Sequence, residues 1–486
     1  MSAQLEETVG TLSTYGAARL KEGAKVMRHE CVMRDAFSKN NPNGVINLAV
    51  AENTLMTDYL SRYFKDNFNV RPVDFTYGDS LSGSLLLRTA LSSFFNTHFA
   101  PERATSPSEL IASSGLLPLI SSLGRALIDP GNAILISAPY YHGFDIALGV
   151  LDSIRIIPVS VPIHEALTQG ELDRMELAFQ DAKAAGTRVQ AVFLVNPQNP
   201  LGRCYSRDVL EGYARFAEQH DLHLVSDEVY ALSTFPSSDI PTPDEFHSIL
   251  SLDFRKLKVK EERIHMMYGM SKDFDANGFR AGVLHTRNKA LYQSLLATSI
   301  FSMVSSPTAE LWASLLNDDD ALEEYIRRNR EELTKAYEHL TGWLKFHGIP
   351  YIRSCAGHFL MADFRQVLSA SSPVLDLLNL DAAREMTHRE HALLGRLSAA
   401  DCKVVLGPGT GFHMPEPGWF RLTFSMAREV IDTGLRRVEK ALGWERWQGL
   451  GDSLRTAGVA MRDFKGRERE RRGVDSQAIP TASAVN

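Results

Sequence analysis

Four cysteines in 486 residues (Cys31, Cys204, Cys355 and Cys402) stand far apart, with no CxxC pair among them. That scarcity argues against a disulfide scaffold or a cysteine zinc site and favours a reducing compartment. No apolar run reaches the roughly 20 residues that a membrane-spanning helix needs. The opening stretch, MSAQLEETVG, has no basic segment followed by an apolar one, so the expectation is a cytoplasmic protein. Basic charge is not in excess either. The formal net charge of -7 argues against nucleic acid or an anionic membrane as the main partner. No internal repeat is visible. What is present is an ordinary globular composition, 44% hydrophobic and 23% charged, over a length that predicts two or three domains.

Residues 1–45 are polar and mixed, and close on the turn signal Asn41-Pro-Asn-Gly44. They read as an N-terminal arm. A large domain is expected over 46–320. Its helical patterns run from Ser82 to Phe95, from 116 to 128 and from Arg207 to His220. Continuous apolar runs lie between and around them: Ala133–Ser137, Ile154–Val161, Val189–Val195, Leu222–Ser226 and Ile264–Met270. β-Branched runs alternating with helices predict an α/β fold with a mostly parallel central sheet covered on both faces. Further on, Leu322, Ile326, Leu333, Tyr337, Leu340 and Leu344 recur at helical spacing on a long charged helix. That helix is expected to join the large domain to a smaller α+β domain over 321–447. Strands are expected there near His358–Phe364, Lys403–Leu406 and Trp419–Phe424, with helices near 381–398 and 427–442. Residues 448–486, including the basic run Arg462–Arg472, read as a disordered, solvated tail.

Six stretches carry chemistry. Lys272 follows the apolar run Ile264–Met270; a desolvated lysine amine has a lowered pKa and can form a Schiff base with an aldehyde. Arg280, eight residues on, suits a phosphate. The bland alternative for this pair is a strand-end lysine in a surface turn. Asn196-Pro-Gln-Asn-Pro-Leu-Gly202 follows another strand and is either a functional turn or an ordinary loop. Ser226-Asp-Glu-Val-Tyr230 places an acid at a strand's C-terminal end, where α/β folds bind ligands; a helix-capping aspartate is the plainer reading. Pro139-Tyr-Tyr-His-Gly-Phe144 offers an aromatic plate, Ser113-Ser-Gly-Leu-Leu117 a glycine turn opening a helix, and Glu416-Pro-Gly-Trp-Phe-Arg421 an arginine suited to a carboxylate. The pair His388 and His391 has no third ligand, and Cys204 has no paired base, so a metal centre and a thiol nucleophile are both set aside.

Together and in this order, across roughly residues 40–445, these motifs resemble the fold-type I pyridoxal-phosphate enzymes of the class I/II aminotransferase family. Asn41-Pro-Asn-Gly-Val-Ile, Ala51-Glu-Asn53 and Ser271-Lys-Asp273 resemble in particular its 1-aminocyclopropane-1-carboxylate synthase-like branch. The resemblance implies the cofactor pyridoxal 5'-phosphate. Lys272 would carry it and serve as general base. Asp227 would pair with the ring nitrogen, Asn199 and Tyr230 with the phenolic oxygen, and Tyr141 would stack on the ring. Arg280, Ser271 and the N–H groups of Leu116 and Leu117 would surround the phosphate. Tyr77 would reach it from the other subunit of a homodimer. Arg421 would clamp the carboxylate of an amino-acid substrate, with Asn199 and Glu52 beside it.

Three positions depart from the family pattern. Gly269 stands where a phosphate-binding serine is usual, Leu117 where a hydroxyl residue is common, and Asp275 where glycine is usual, which implies a shifted or strained turn. The first expectation for the reaction is transamination of an amino acid or amino-acid-derived intermediate, in a branch that also serves fungal secondary metabolism. Elimination or ring closure is the second, and a cofactor-binding homologue without catalysis the third.

Overall fold

The computed structural model describes residues 9–450 apart from 151, 152 and 382. The tail expected over 448–486 therefore lies, from 451 on, outside the described residues.

A short strand β1 (Ile46–Asn47) precedes the strands of a seven-stranded sheet: β2 (Leu110–Ser113), β3 (Ala133–Ala138), β4 (Arg155–Ser160), β5 (Val189–Val195), β6 (His223–Asp227), β7 (Ile264–Gly269) and β8 (Gly282–Thr286). Their spatial order is β2-β8-β7-β6-β5-β3-β4. All neighbours run parallel except β8, which is antiparallel to both β2 and β7. The sheet is the expected one with two additions. β2 and β8 stand outside the five apolar runs read from sequence. β8 begins on a glycine and ends on His285 and Thr286, which gives it little β signal.

Both faces of the sheet are dry because side chains alternate. In β5, Val192 and Leu194 join a core that includes Leu210, Tyr268 and Trp312, whereas Ala191, Phe193 and Val195 join one that includes Ile120, Phe144 and Leu284. The parallel strands β3, β5, β6 and β7 finish on one edge. β2 ends and β8 begins there too, since Ser113 pairs with Gly282 and Gly282 with Gly269. This edge receives the residues singled out above.

The second body holds an antiparallel trio, β9 (Phe359–Asp363), β11 (Gly407–Pro408) and β12 (Trp419–Thr423), in the order β11-β12-β9. A further strand, β10 (Val404–Val405), pairs in parallel with β1. Helices Met386–Ser398 and Arg428–Leu442 pack on these strands, and the helix Asp319–Phe346 leads into them. The Asp318 side chain caps that helix by accepting from Ala321 N–H, and Asp319 and Asp320 add negative charge to its first turn. Ile46 and Leu48 are buried in this second core beside Val404, Leu422 and Leu435. The segment from β1 onward then crosses toward the large sheet. Leu48 O accepts from Thr423 N–H, Val50 O from the Thr423 hydroxyl, and Glu52 O from the Ser425 hydroxyl.

Candidate active site

Lys272 lies in the single turn Met270–Asp273 that follows β7. Its ammonium donates to the Ala51 carbonyl at 2.5 Å. Burial pushes the amine down to about 8, helped by the nearby cation Arg421 and opposed by Glu52. The next residue, Asp273, is buried and accepts from Leu232 N–H at 2.8 Å, the Ser233 hydroxyl at 2.5 Å and the Tyr268 hydroxyl at 3.0 Å. Ser233 in turn lies 3.1 Å from Nε2 of the buried His358. The lysine turn is thus held from one side by a hydrogen-bonded carboxylate and from the other by a backbone carbonyl.

Asp227 ends β6. Its side chain accepts from Val229 N–H at 3.2 Å, and burial raises its carboxyl to about 7 against that bond and the pull of Lys272. Tyr230 is buried next to Ala51, Val229 and Phe359, with its ring edge-on to His358 and Phe359. Tyr141 follows β3, and its ring lies across Gly143. A methyl group at that glycine would come within 2.6 Å of Tyr141 Cζ, so the tyrosine needs glycine beneath it.

Arg421 stands on β12 and is buried. One terminal nitrogen donates to Asn199 Oδ1 at 2.9 Å and the other to the Ala49 carbonyl, while Nε has no partner. Its Cζ lies 4.2 Å from the Phe412 ring centroid and 4.7 Å from that of Phe359. Burial pushes the guanidinium down to about 10. No carboxylate lies within ion-pair reach of it among the described residues. A buried cation with a free N–H and no counter-ion is a receptor for an anion.

At the other end of the cleft, Gly115 opens the helix Leu116–Leu127 at φ 98°, and no side chain caps that helix. The Arg280 guanidinium covers this glycine. A cation beside uncapped N–H groups, over a residue without a side chain, fits a phosphate. Leu117 is partly exposed at the same helix end, and Ser271 adjoins the lysine. Gly269 sits in a tight slot, where an added methyl would lie 3.1 Å from the Ala281 carbonyl. Gly282 is tighter still, at 2.8 Å from the Gly115 carbonyl carbon, so the two chain segments can approach only through glycine. Glu52 faces this region and accepts from Asn277 Nδ2 at 3.0 Å.

The strain expected at Asp275 is present as a left-handed backbone, φ 50°, a conformation aspartate tolerates better than most residues. One carboxyl oxygen accepts from Met56 N–H at 3.0 Å; the other is buried without a partner. Tyr77, by contrast, is 80% exposed and makes no hydrogen bond or ring contact to the cleft residues among those described. Several contributors escaped sequence reasoning: the Ala51 carbonyl, the Asp273–Ser233–His358 chain and Phe412. Only Phe412 had a usable signal, the glycine-rich turn Gly409-Thr-Gly-Phe412 just before the Glu416–Arg421 motif.

The arrangement brings an amine, a buried acid, an aromatic plate and two cations suited to anions into one cleft. Residues 44–438 match the family model for aminotransferase class I and II. A probable aminotransferase, gliI, of Aspergillus fumigatus is 32% identical over 427 residues, covering 86% of this chain and 94% of the relative. The 1-aminocyclopropane-1-carboxylate synthase 3 of Oryza sativa subsp. japonica is 32% identical over 413 residues, covering 82% and 87%. Among solved structures, a mutant aspartate aminotransferase of Thermus thermophilus superposes with TM-score 0.63 at 20% identity, covering 88% of this chain and 99% of that one. An aromatic aminotransferase from Pyrococcus horikoshii OT3 does so at 0.63 and 19%, covering 82% and 96%. The chain belongs to the class I and II aminotransferase family, it has that family's fold, and its cofactor is pyridoxal phosphate.

Proposed function

We propose that this protein is an aminotransferase that acts on a free amino acid or an amino-acid-derived intermediate and works as a homodimer. The observation that carries the reading is Arg421, a buried guanidinium with a free Nε–H and no carboxylate partner among the described residues, in the same cleft as the lowered-pKa amine of Lys272.

When bound, pyridoxal phosphate supplies an aldehyde that takes up amines and a cationic ring that accepts the electron pair left on the substrate α-carbon. The chain's own residues do the rest. Arg280 and the N–H groups of Leu116 and Leu117 would hold the phosphate, and Tyr141 would orient the ring. Asp227 holds a proton on the ring nitrogen. Its raised pKa falls back once a cationic partner arrives, because an opposite charge favours the carboxylate. Tyr230 and Asn199 would hydrogen-bond the ring's oxygen. Arg421 binds the α-carboxylate in bidentate fashion, its position fixed by Asn199 and the Ala49 carbonyl. Lys272, its amine pushed down to about 8 so that less is needed to free its lone pair, takes the α-proton as base and returns it.

A second reading, elimination or ring closure, is supported by Glu52. Its charge acts on Lys272, and it is held toward the cleft by Asn277. The experiment separates these readings. The purified protein should absorb in the visible, and Lys272→Ala should abolish the band; a colourless protein that cannot be reconstituted sinks both. With candidate amino acids, a keto acid plus pyridoxamine phosphate marks transamination, and ammonia plus a pyruvate-like acid marks elimination. Methylthioadenosine from S-adenosylmethionine marks ring closure.

A further inference from the structure

Two loops from different bodies of the fold meet over Arg421. One, residues 139–145, leaves β3; the other, residues 409–414, precedes β12. Tyr140 N–H donates to the Phe412 carbonyl at 2.8 Å. The rings of Tyr140 and His413 stack, with centroids 4.3 Å apart and planes at 12°. The Tyr140 hydroxyl donates to Asp145 Oδ1 at 2.7 Å, and His413 Nε2 lies 2.8 Å from Asp145 Oδ2. The His142 ring meets Phe412 edge-on at 5.8 Å. The far side of the same loop is fixed by the buried Glu390, which accepts from the Thr410 hydroxyl at 2.7 Å and from Gly418 N–H at 2.6 Å.

What this staple positions is the Phe412 ring, which lies over the Arg421 guanidinium at 4.2 Å. Stacking of this kind covers the π face of the guanidinium and leaves its N–H edge free for a carboxylate. It also removes water from that face, and a charge pair formed in a drier place is stronger. The groups facing Asp145 are Tyr140, His142 and His413. Burial alone would raise its carboxyl, but the bonds from His413 and Tyr140 outweigh burial and hold it below the usual carboxylate range.

We propose that Asp145 and His413 are positioning residues for substrate binding. By stapling the 409–414 loop to the 139–145 loop, they hold Phe412 against Arg421 and so set the affinity of that cation for a carboxylate. The inference rests on the reading of Arg421 as the carboxylate clamp, and its test keeps the two apart.

The probe is propionate, used as a competitive inhibitor of the holoenzyme against whichever amino acid the wild type turns over, and titrated in parallel through its effect on visible absorbance. His413→Ala should weaken propionate about fivefold, the scale of one lost cation–π contact, with KM rising more than kcat falls. His413→Gln, which keeps a donor toward Asp145, should recover most of that loss, with thermal midpoints of both variants close to wild type. Arg421→Gln, or Arg421→Lys if the former does not fold, should weaken propionate further. If the Arg421 variant loses propionate and His413→Ala stays within twofold of wild type, the staple has no such role and the clamp stands. A loss of equal size in both His413 variants with a lowered thermal midpoint marks a merely structural contact and also overturns the proposal. An Arg421 variant that binds propionate as wild type does removes the clamp, and the proposal with it.

Discussion

The Arg280 guanidinium lies directly over Gly115, close enough that a methyl group at the glycine would sit 3.0 Å from its Cζ. Gly115 also holds φ 98° and ψ 177°, a backbone region that belongs almost wholly to glycine. Both facts concern one spot, the uncapped start of the helix Leu116–Leu127. Gly115→Val should displace Arg280 and strain the turn at once. With about 1–3 kcal/mol of strain, cofactor affinity should fall at least about fivefold, read by titrating the apoprotein with pyridoxal phosphate and following the visible band. Affinity within twofold of wild type would place the phosphate elsewhere.

The Lys272 amine is pushed down to about 8 from an ordinary 10.5, first by burial and then by Arg421. Capture of an aldehyde requires the neutral amine. The rate at which the apoprotein takes up pyridoxal phosphate should therefore rise through about pH 8 and then level, instead of climbing on toward 10.5. Arg421→Met removes a cation that disfavours the protonated amine, so the inflection should move to higher pH. Stopped-flow absorbance across the pH range gives both curves. An inflection that stays put or moves down in the variant would mean that Arg421 does not act on the lysine.

Much of this site was legible because charge at the end of an apolar run is expensive and so conspicuous. Lys272 after β7, Asp227 at the end of β6 and Arg421 within β12 all stand out in this way. The hydrogen bonds around them were not legible. The carbonyl of Ala51 that receives the lysine is a backbone atom and leaves no trace in residue type. The chain Asp273–Ser233–His358 joins residues 40 and 125 positions apart, each of them unremarkable alone. The β1 segment lies within the span expected of the large domain, and its pairing over two residues with the distant β10 has no signal in residue type. Register across such a distance is decided by packing and not by local pattern.

Phe75, Tyr77 and Phe301 are 83%, 80% and 87% exposed. Phe301 lies in the short helix Ser299–Ser302, whose Ser302 carbonyl accepts from Ser114 N–H at 2.7 Å, next to Gly115 at the start of the helix Leu116–Leu127. Large exposed aromatics fit an interface with a second copy of the chain. Light scattering coupled to size exclusion should give a dimer. Phe301→Asp should shift it toward monomer, and Tyr77→Phe should weaken cofactor binding while leaving the dimer intact. A wild-type monomer that holds the cofactor tightly would refute the shared site.

Asp275 offers a test of the departure nearest the lysine. Burial raises its carboxyl to about 8 from 3.8, against the Met56 N–H and the Tyr325 hydroxyl beside it. The folded state therefore holds this proton more tightly than the unfolded chain does. Between about pH 4 and 8 the native protein binds more protons at this position, so its contribution to stability falls as pH rises through that window. Asp275→Asn keeps the acceptor for Met56 N–H and tolerates the same left-handed backbone, but carries no titrating proton. Urea unfolding of the two proteins should give similar stabilities near pH 5 and a growing advantage for the asparagine variant toward pH 8. An advantage that is flat or shrinks with pH would mean that the bond from Met56 and the Tyr325 hydroxyl outweigh burial and stabilise the carboxylate in the fold.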